Sequence, residues 1–169
     1  IKVRDTTDAL GDIAGYTREK YRIPVIAITG SAGKTSTKNM LAAVLASRYR
    51  VLVNQGSFNN QIGVPLTMLR MTPRHQIAVF ELGTNQPGDI RRLSSIVKPD
   101  VAVYTNIGES HLEKLKNPGY VFKEKSQMLK DLTPHGRIIF NKDDKYLKRF
   151  NKKLNNDKII SYAIKDQAD

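Results

Sequence analysis

Residues Gly30 to Ser36, GSAGKTS, hold the densest chemistry in this chain of 169 residues. Gly30 and Gly33 let the backbone turn tightly, so that the N–H groups from Ser31 and Ala32 onward can face phosphate oxygens at a helix N-terminus. Lys34 supplies a point charge for β- and γ-phosphates, and the Thr35 hydroxyl, with Ser36 beside it, is placed to hold Mg2+. The longer G-x-x-x-x-G-K-[ST] pattern would put a glycine at position 28, where this chain has Ile28, so the loop is the shorter G-x-x-G-K-T form. A helix cap followed by a surface lysine is the competing reading. The strand expected before the loop and the helix after it favour a nucleotide.

A phosphate loop needs a carboxylate from another strand to complete a metal site. Glu81 stands at the end of IAVFE, immediately before Leu82 and Gly83, and fits that need. His111 follows the strand VAVYT and a short turn, which puts it at the same edge as a metal ligand or as a bystander. His75 and His135 lie beside prolines in expected turns and read as bystanders. Ser110 and His111 are adjacent, so they would point apart, and the sequence offers no Ser-His-Asp triad.

The elements that must position these groups alternate. Helices are expected over Asp5–Lys20, Lys34–Arg48, Pro65–Met71, Pro87–Val97, Tyr120–Leu132 and Asp143–Leu154. Strands are expected over Ile23–Ile28, Val51–Val53, Gln76–Leu82, Asp100–Thr105, Arg137–Phe140 and Lys158–Tyr162. The first helix should turn Leu10, Ile13 and Ala14 inward, and the second Met40, Leu41, Val44 and Leu45. Such alternation implies one α/β unit, a doubly wound and mostly parallel sheet of the P-loop NTPase kind, with ligands at the carboxyl ends of the strands.

Composition narrows the classes. The chain is 40% apolar and 26% charged, ordinary for a globular domain, and no apolar run approaches a membrane span. With no cysteine, disulfides, thiolate zinc sites and cysteine nucleophiles are excluded. The opening IKVRDTTDAL has charge where a secretory leader needs an apolar core, and it starts at Ile1, as a piece of a longer protein would. The net charge of +12 is uneven: from Lys114 to Lys158 there are 13 basic and 5 acidic residues, a net +8. Within that span KYLKRFNKKL places Tyr146, Leu147, Phe150 and Leu154 at helical spacing, so its lysines should form a solvated outer face. No nucleic-acid motif accompanies them, and a basic surface also suits small anions.

Six stretches together resemble the ATP-binding central domain of the Mur ligase family. They are ITGSAGKTST (Ile28–Thr37), NNQIGVPLTML (Asn59–Leu69), ELGTNQPGDI (Glu81–Ile90), TNIGESHLE (Thr105–Glu113), KEKSQML (Lys123–Leu129) and NKDD (Asn141–Asp144). They cover most of the chain in family order. The branch they resemble most adds D-Ala-D-Ala to a UDP-linked muramoyl tripeptide. The resemblance implies an ATP-dependent amide ligase of the cytoplasm, working in peptidoglycan synthesis. ATP would phosphorylate the peptide carboxylate, and an amine would attack the acyl phosphate. By residue, it implies that Thr35 and Glu81 hold one Mg2+ and His111 a second. It matches Lys125 to a lysine that is carbamylated and so becomes an anionic oxygen ligand, with Lys123 as its rival. On sequence alone Lys125 is a helix-surface lysine. Asn141, with Asp144 nearby, matches a contact to adenine, and Asn59 and Asn60 match a loop facing the substrate.

Gln86-Pro87 and Gln127 depart from the family pattern, at a polar pair and at an acidic position two residues after the modified lysine. The expected organisation is a lead-in helix over residues 1–20 and an incomplete central domain over 21–169. The family's UDP-binding and C-terminal domains would lie outside this piece, which alone would turn nothing over. A monomer without membrane or nucleic-acid partners is expected. The alternatives are another Mur-type ligase, with a different peptide, a folate or a pseudopeptidoglycan substrate, and a non-catalytic basic module that binds nucleic acid.

Overall fold

The computed structural model describes residues 2–108, 117–153 and 156–165. Its centre is a six-stranded sheet in which every strand pair is parallel, in the order β2-β3-β1-β4-β5-β6. The strands are β1 (Val25–Thr29), β2 (Val51–Val53), β3 (Ile77–Glu81), β4 (Val101–Tyr104), β5 (Arg137–Asn141) and β6 (Ile159–Tyr162). Runs such as VIAIT and VAVY are apolar on both faces, as strands buried between layers require. From β1 the chain winds out to β2 and β3 on one side, then crosses to β4, β5 and β6 on the other. That reversal opens a crevice at the carboxyl ends of the central strands.

The larger apolar cluster lies on one face, under α1 (Thr6–Lys20), α3 (Gly63–Leu69), α4 (Asp89–Val97) and α5 (Pro118–Lys125), and includes Ala27, Phe80, Leu93, Val121 and Phe140. On the other face Ile28, Val79 and Val103 pack with Leu41 and Leu45 of α2 (Lys34–Ala46). Arg18 of α1 is 7% exposed and reaches across the amino ends of the strands to Asp100 at 3.0 Å and to the carbonyls of Val97, Ile23 and Lys98. That cation ties the first helix to the sheet.

Several helical expectations are corrected. Met40, Val44 and Ile13 are 71%, 70% and 57% exposed rather than inward. In α2 the inward stripe is Lys34, Lys38, Leu41 and Leu45, and Met40 and Val44 sit one residue behind it, about 100° away. The helix expected over Tyr120–Leu132 is α5, starting at Pro118 and capped by Asn117, and it tightens into a 3-10 turn over Ser126–Asp131. The helix expected from Asp143 begins only with a 3-10 turn at Leu147–Arg149, followed by the short α6 (Phe150–Lys153). Tyr146, Leu147 and Phe150 do pack inward, and Lys145 and Lys148 are exposed as expected. Leu154 lies outside the described residues.

Candidate functional site

The loop after β1 is shaped by two glycines. Gly33 is left-handed, at φ 78°, and starts α2. Gly30 passes so close to β4 that a methyl group there would lie 1.8 Å from Thr105 Oγ1, so only glycine fits. The segment after β4 then braces the loop. Thr105 Oγ1 donates to Ala32 O at 2.6 Å, Ser31 N to Asn106 O at 3.0 Å, and Ala32 N to Asn106 Oδ1 at 2.9 Å. Lys34 Nζ folds back onto the loop and donates to Gly30 O at 2.9 Å and Ser31 O at 3.3 Å. Burial lowers its pKa, and Glu81 acts in the opposite sense.

Glu81 is 1% exposed, at the end of the neighbouring strand. Its carboxylate is held from both sides: Thr35 Oγ1 donates to Oε2 at 2.8 Å and Asn59 Nδ2 to Oε1 at 2.7 Å. Lys38 Nζ, also 1% exposed, lies 3.8 Å from Oε2 and donates to Asn54 O and Gly56 O at 2.8 Å each. Asn54, fully buried after β2, exchanges two bonds with the Glu81 backbone. Lys38 and Asn54 were not picked out from the sequence. Lys38 had a signal, since it sits one turn beyond Lys34 on the helix that starts at the loop.

Lys125 is not a surface lysine. It is 1% exposed, on the inward stripe of α5 that also carries Val121 and Phe122, whereas Lys123 points to solvent. Its ammonium has no hydrogen-bond partner among the described residues. Burial and the repulsion of Lys34 push its pKa down to about 7, against the pull of Glu124. Glu124 itself is spent on α4, accepting from Gly88 N and Ile90 N at 2.9 Å each.

Three other residues expected to make contacts, Asp144, Asn141 and Asn60, are bonded within the protein. Asp144 accepts from Ile107 N at 2.6 Å and from Tyr146 N and Leu147 N, so its carboxylate ties the β4 and β5 loops together. Asn141 Oδ1 accepts from Asp143 N in the same turn. Asn60 Oδ1 accepts from Ile62 N and Gly63 N, at the start of α3. Asn59 and Asn60 both border a cavity of about 500 Å3, with Asn85, Gln86 and Asp89 opposite. Ser36 is exposed on the first turn of α2, and His111 lies outside the described residues.

Among the described residues the strand ends thus assemble a braced glycine loop and three buried or half-buried lysines, with the Glu81 carboxylate facing the loop. Such a site is short of negative charge and rich in backbone donors, which suits a polyphosphate. Thr35 and Glu81 add hard oxygen atoms of the kind Mg2+ takes. Among the described residues no group of three acidic or histidine side chains forms a ready metal cage, and no helix is long and apolar enough to cross a membrane.

Known proteins resemble this chain in sequence and fold. A UDP-N-acetylmuramoyl-tripeptide–D-alanyl-D-alanine ligase of Buchnera aphidicola is 41% identical over 168 residues, 99% of this chain and 36% of the relative. A MurF crystal structure from Acinetobacter baumannii superposes with a TM-score of 0.90 at 37% identity, over 95% of this chain and 36% of that one. A MurF ligase of Thermotoga maritima, solved with ADP, gives a TM-score of 0.89 at 28% identity, over 98% of this chain and 38% of that one. The chain therefore spans little more than a third of the length of these relatives. Its residues 28–169 match the Mur ligase middle domain, and the chain belongs to the Mur ligase family.

Proposed function

We propose that this chain is the ATP-binding core of a MurF-type ligase. The reaction is the joining of D-Ala-D-Ala to a UDP-linked muramoyl tripeptide through an acyl phosphate, in cytoplasmic peptidoglycan synthesis. Residues 1–20 lead into the domain, residues 21–169 form part of it, and UDP-binding and C-terminal domains complete the enzyme. The observation that carries the reading is the 2.8 Å bond from Thr35 to Glu81 at the mouth of the Lys34 loop. It joins a hydroxyl at the loop–helix junction to a strand-end carboxylate, the donor pair a nucleotide-bound Mg2+ needs. The ADP in the Thermotoga maritima relative supports the choice of nucleotide.

In this reading the backbone from Gly30 to Ser36 holds the phosphates, and Lys34 leaves its two carbonyl partners for the β- and γ-phosphate oxygens. Braced by Thr105 and Asn106, the loop is set before ATP arrives, so little reorganisation accompanies binding. Thr35 and Glu81 would hold Mg2+, which when bound neutralises charge developing on the transferred phosphoryl group. Lys125 supplies a neutral amine near pH 7, which can add to CO2 to give a carbamate and release a proton. The product is an anionic oxygen donor beside Lys34, and with His111 it would serve a second Mg2+. Asn59 links Glu81 to the cavity bordered by Asn60, a suitable place for the peptide carboxylate. Asn141 and Asp144 shape the adenine side through the loops they tie. A monomer is the proposed state.

Calorimetric titration with Mg·ATP tests the reading. Wild-type binding that is lost in Lys34→Ala is the expected result. Equal affinity in the two proteins would remove the phosphate-loop assignment.

A further inference from the structure

Lys38 is a buried cation that the proposed chemistry does not use. Full burial of an ammonium is costly unless it is paired and hydrogen-bonded, so its partners identify its task. Two are carbonyls, Asn54 O and Gly56 O, both in the turn after β2. The third is Glu81 Oε2, the same oxygen that accepts from Thr35. Asn54 meanwhile fastens both the N–H and the C=O of Glu81 through its side-chain amide, and it donates to Phe58 O at 2.8 Å, just before Asn59. Asn59 in turn bonds the other carboxylate oxygen. Among the described residues, every side chain bonded to Glu81, apart from Thr35 and Lys38 itself, therefore comes from the turn that Lys38 anchors.

We propose that Lys38 is the positioning residue of the metal site: from α2 it pins the turn of residues 54–59 and the Glu81 carboxylate in one geometry, so that Glu81 and Thr35 face a divalent cation as a preset pair. Lys34 and Lys38, one helical turn apart, then divide the work. The first moves onto phosphate, and the second stays inside and never touches nucleotide. The inference rests on the proposed metal role of Glu81.

The test is Mn2+ binding to the ADP complex of the full-length protein, read by electron paramagnetic resonance, beside ADP binding in EDTA. Lys38→Met should weaken Mn2+ by about 10- to 100-fold and leave metal-free ADP binding within about threefold. Lys38→Arg, which keeps the charge, should recover most of the Mn2+ affinity. Lys38→Gln keeps a donor for the two carbonyls without the charge, and repeats the test if the methionine variant does not fold. Because Lys38 acts through Glu81, combining Lys38→Met with Glu81→Gln should cost no more than Glu81→Gln alone. Equal losses of Mn2+ and metal-free ADP in Lys38→Met, or additive losses in the double variant, would overturn the positioning role and leave Glu81 as a ligand. Unchanged Mn2+ affinity in Glu81→Gln would remove the metal role of Glu81, and this inference with it.

Discussion

Lys38 and Lys125 are equally buried, each 1% exposed, yet their surroundings differ. Lys38 has two carbonyls and a carboxylate within reach. Lys125 has no hydrogen-bond partner among the described residues, and with Lys34 repelling it, its pKa falls to about 7. Burial alone does not set what a lysine does. A satisfied ammonium is a fixed cation that holds structure, and an unsatisfied one is a reactive amine waiting for another group. The two lysines sit on different helices, α2 and α5, and both belong to the phosphate-loop edge of one sheet.

The largest way to break this contrast is to remove the amine. If the proposed function holds, Lys125→Ala should lower turnover of the full-length protein by roughly 100- to 1,000-fold, the scale on which a stabilising charge is lost from a site. Short carboxylates such as formate or acetate should restore part of the rate, because they would replace the oxygen donors of the proposed carbamate. Steady-state assays with and without added carboxylate check this. Wild-type turnover in the variant would leave Lys125 with no more function than its burial.

Stability separates the same pair with a smaller effect and opposite signs. Lys38→Met deletes one half of a buried, bonded pair and should cost roughly 3 kcal/mol at any pH near neutrality. Lys125→Met removes a charge that folding penalises, so it should stabilise, and the gain should depend on pH. With a folded pKa near 7 against an ordinary value of 10.5, Lys125 holds fewer protons in the folded state than in the unfolded state between those limits. The wild-type protein therefore gains stability as pH rises from about 7 towards 10.5, and below 7 it bears the full burial cost. Melting temperatures of both variants at pH 6 and pH 9 should show Lys125→Met above wild type by several degrees at pH 6 and less so at pH 9. Lys38→Met should lie below wild type at both. A Lys125→Met gain that did not shrink with pH would point to packing rather than charge.

Where each lysine lies could be read from the sequence only in part. The glycine loop, the strand before it and Glu81 at a strand end were legible because their signals are local. The inward stripe of α2, Lys34-Lys38-Leu41-Leu45, was there to be read, but Met40 and Val44 are more apolar than lysines and drew the expected face around the helix. Lys125 falls on the stripe of Val121, Phe122 and Met128, and a lysine in such a stripe reads as an interruption until tertiary packing closes over it. Asp144 illustrates the other limit. Its carboxylate is taken by Ile107 N, 37 residues away, a partner that only the sheet order brings near. The family resemblance supplied the chemistry of Lys125, and its burial and lowered pKa came from the fold.

The smallest prediction carries the contrast to a neutral group. Tyr104 ends β4, immediately before the Thr105 that braces the loop, and its ring packs on Phe150 at 4.9 Å between centroids. It is fully buried, and its hydroxyl has no hydrogen-bond partner among the described residues. Like Lys125, it has no hydrogen-bond partner among the described residues, but it carries no charge and sits in an aromatic cluster. Burial holds its pKa well above that of a free phenol, so it stays protonated and offers no reactive oxygen. Tyr104→Phe keeps the ring and deletes the unmet group, so it should leave Mg·ATP affinity unchanged and stabilise the fold by about 1 kcal/mol, since an unpaired buried donor costs about that much. Chemical denaturation compares the two proteins directly. A loss of stability would mean that the hydroxyl has a partner after all, and the rule drawn from the two lysines would then apply only to charged groups.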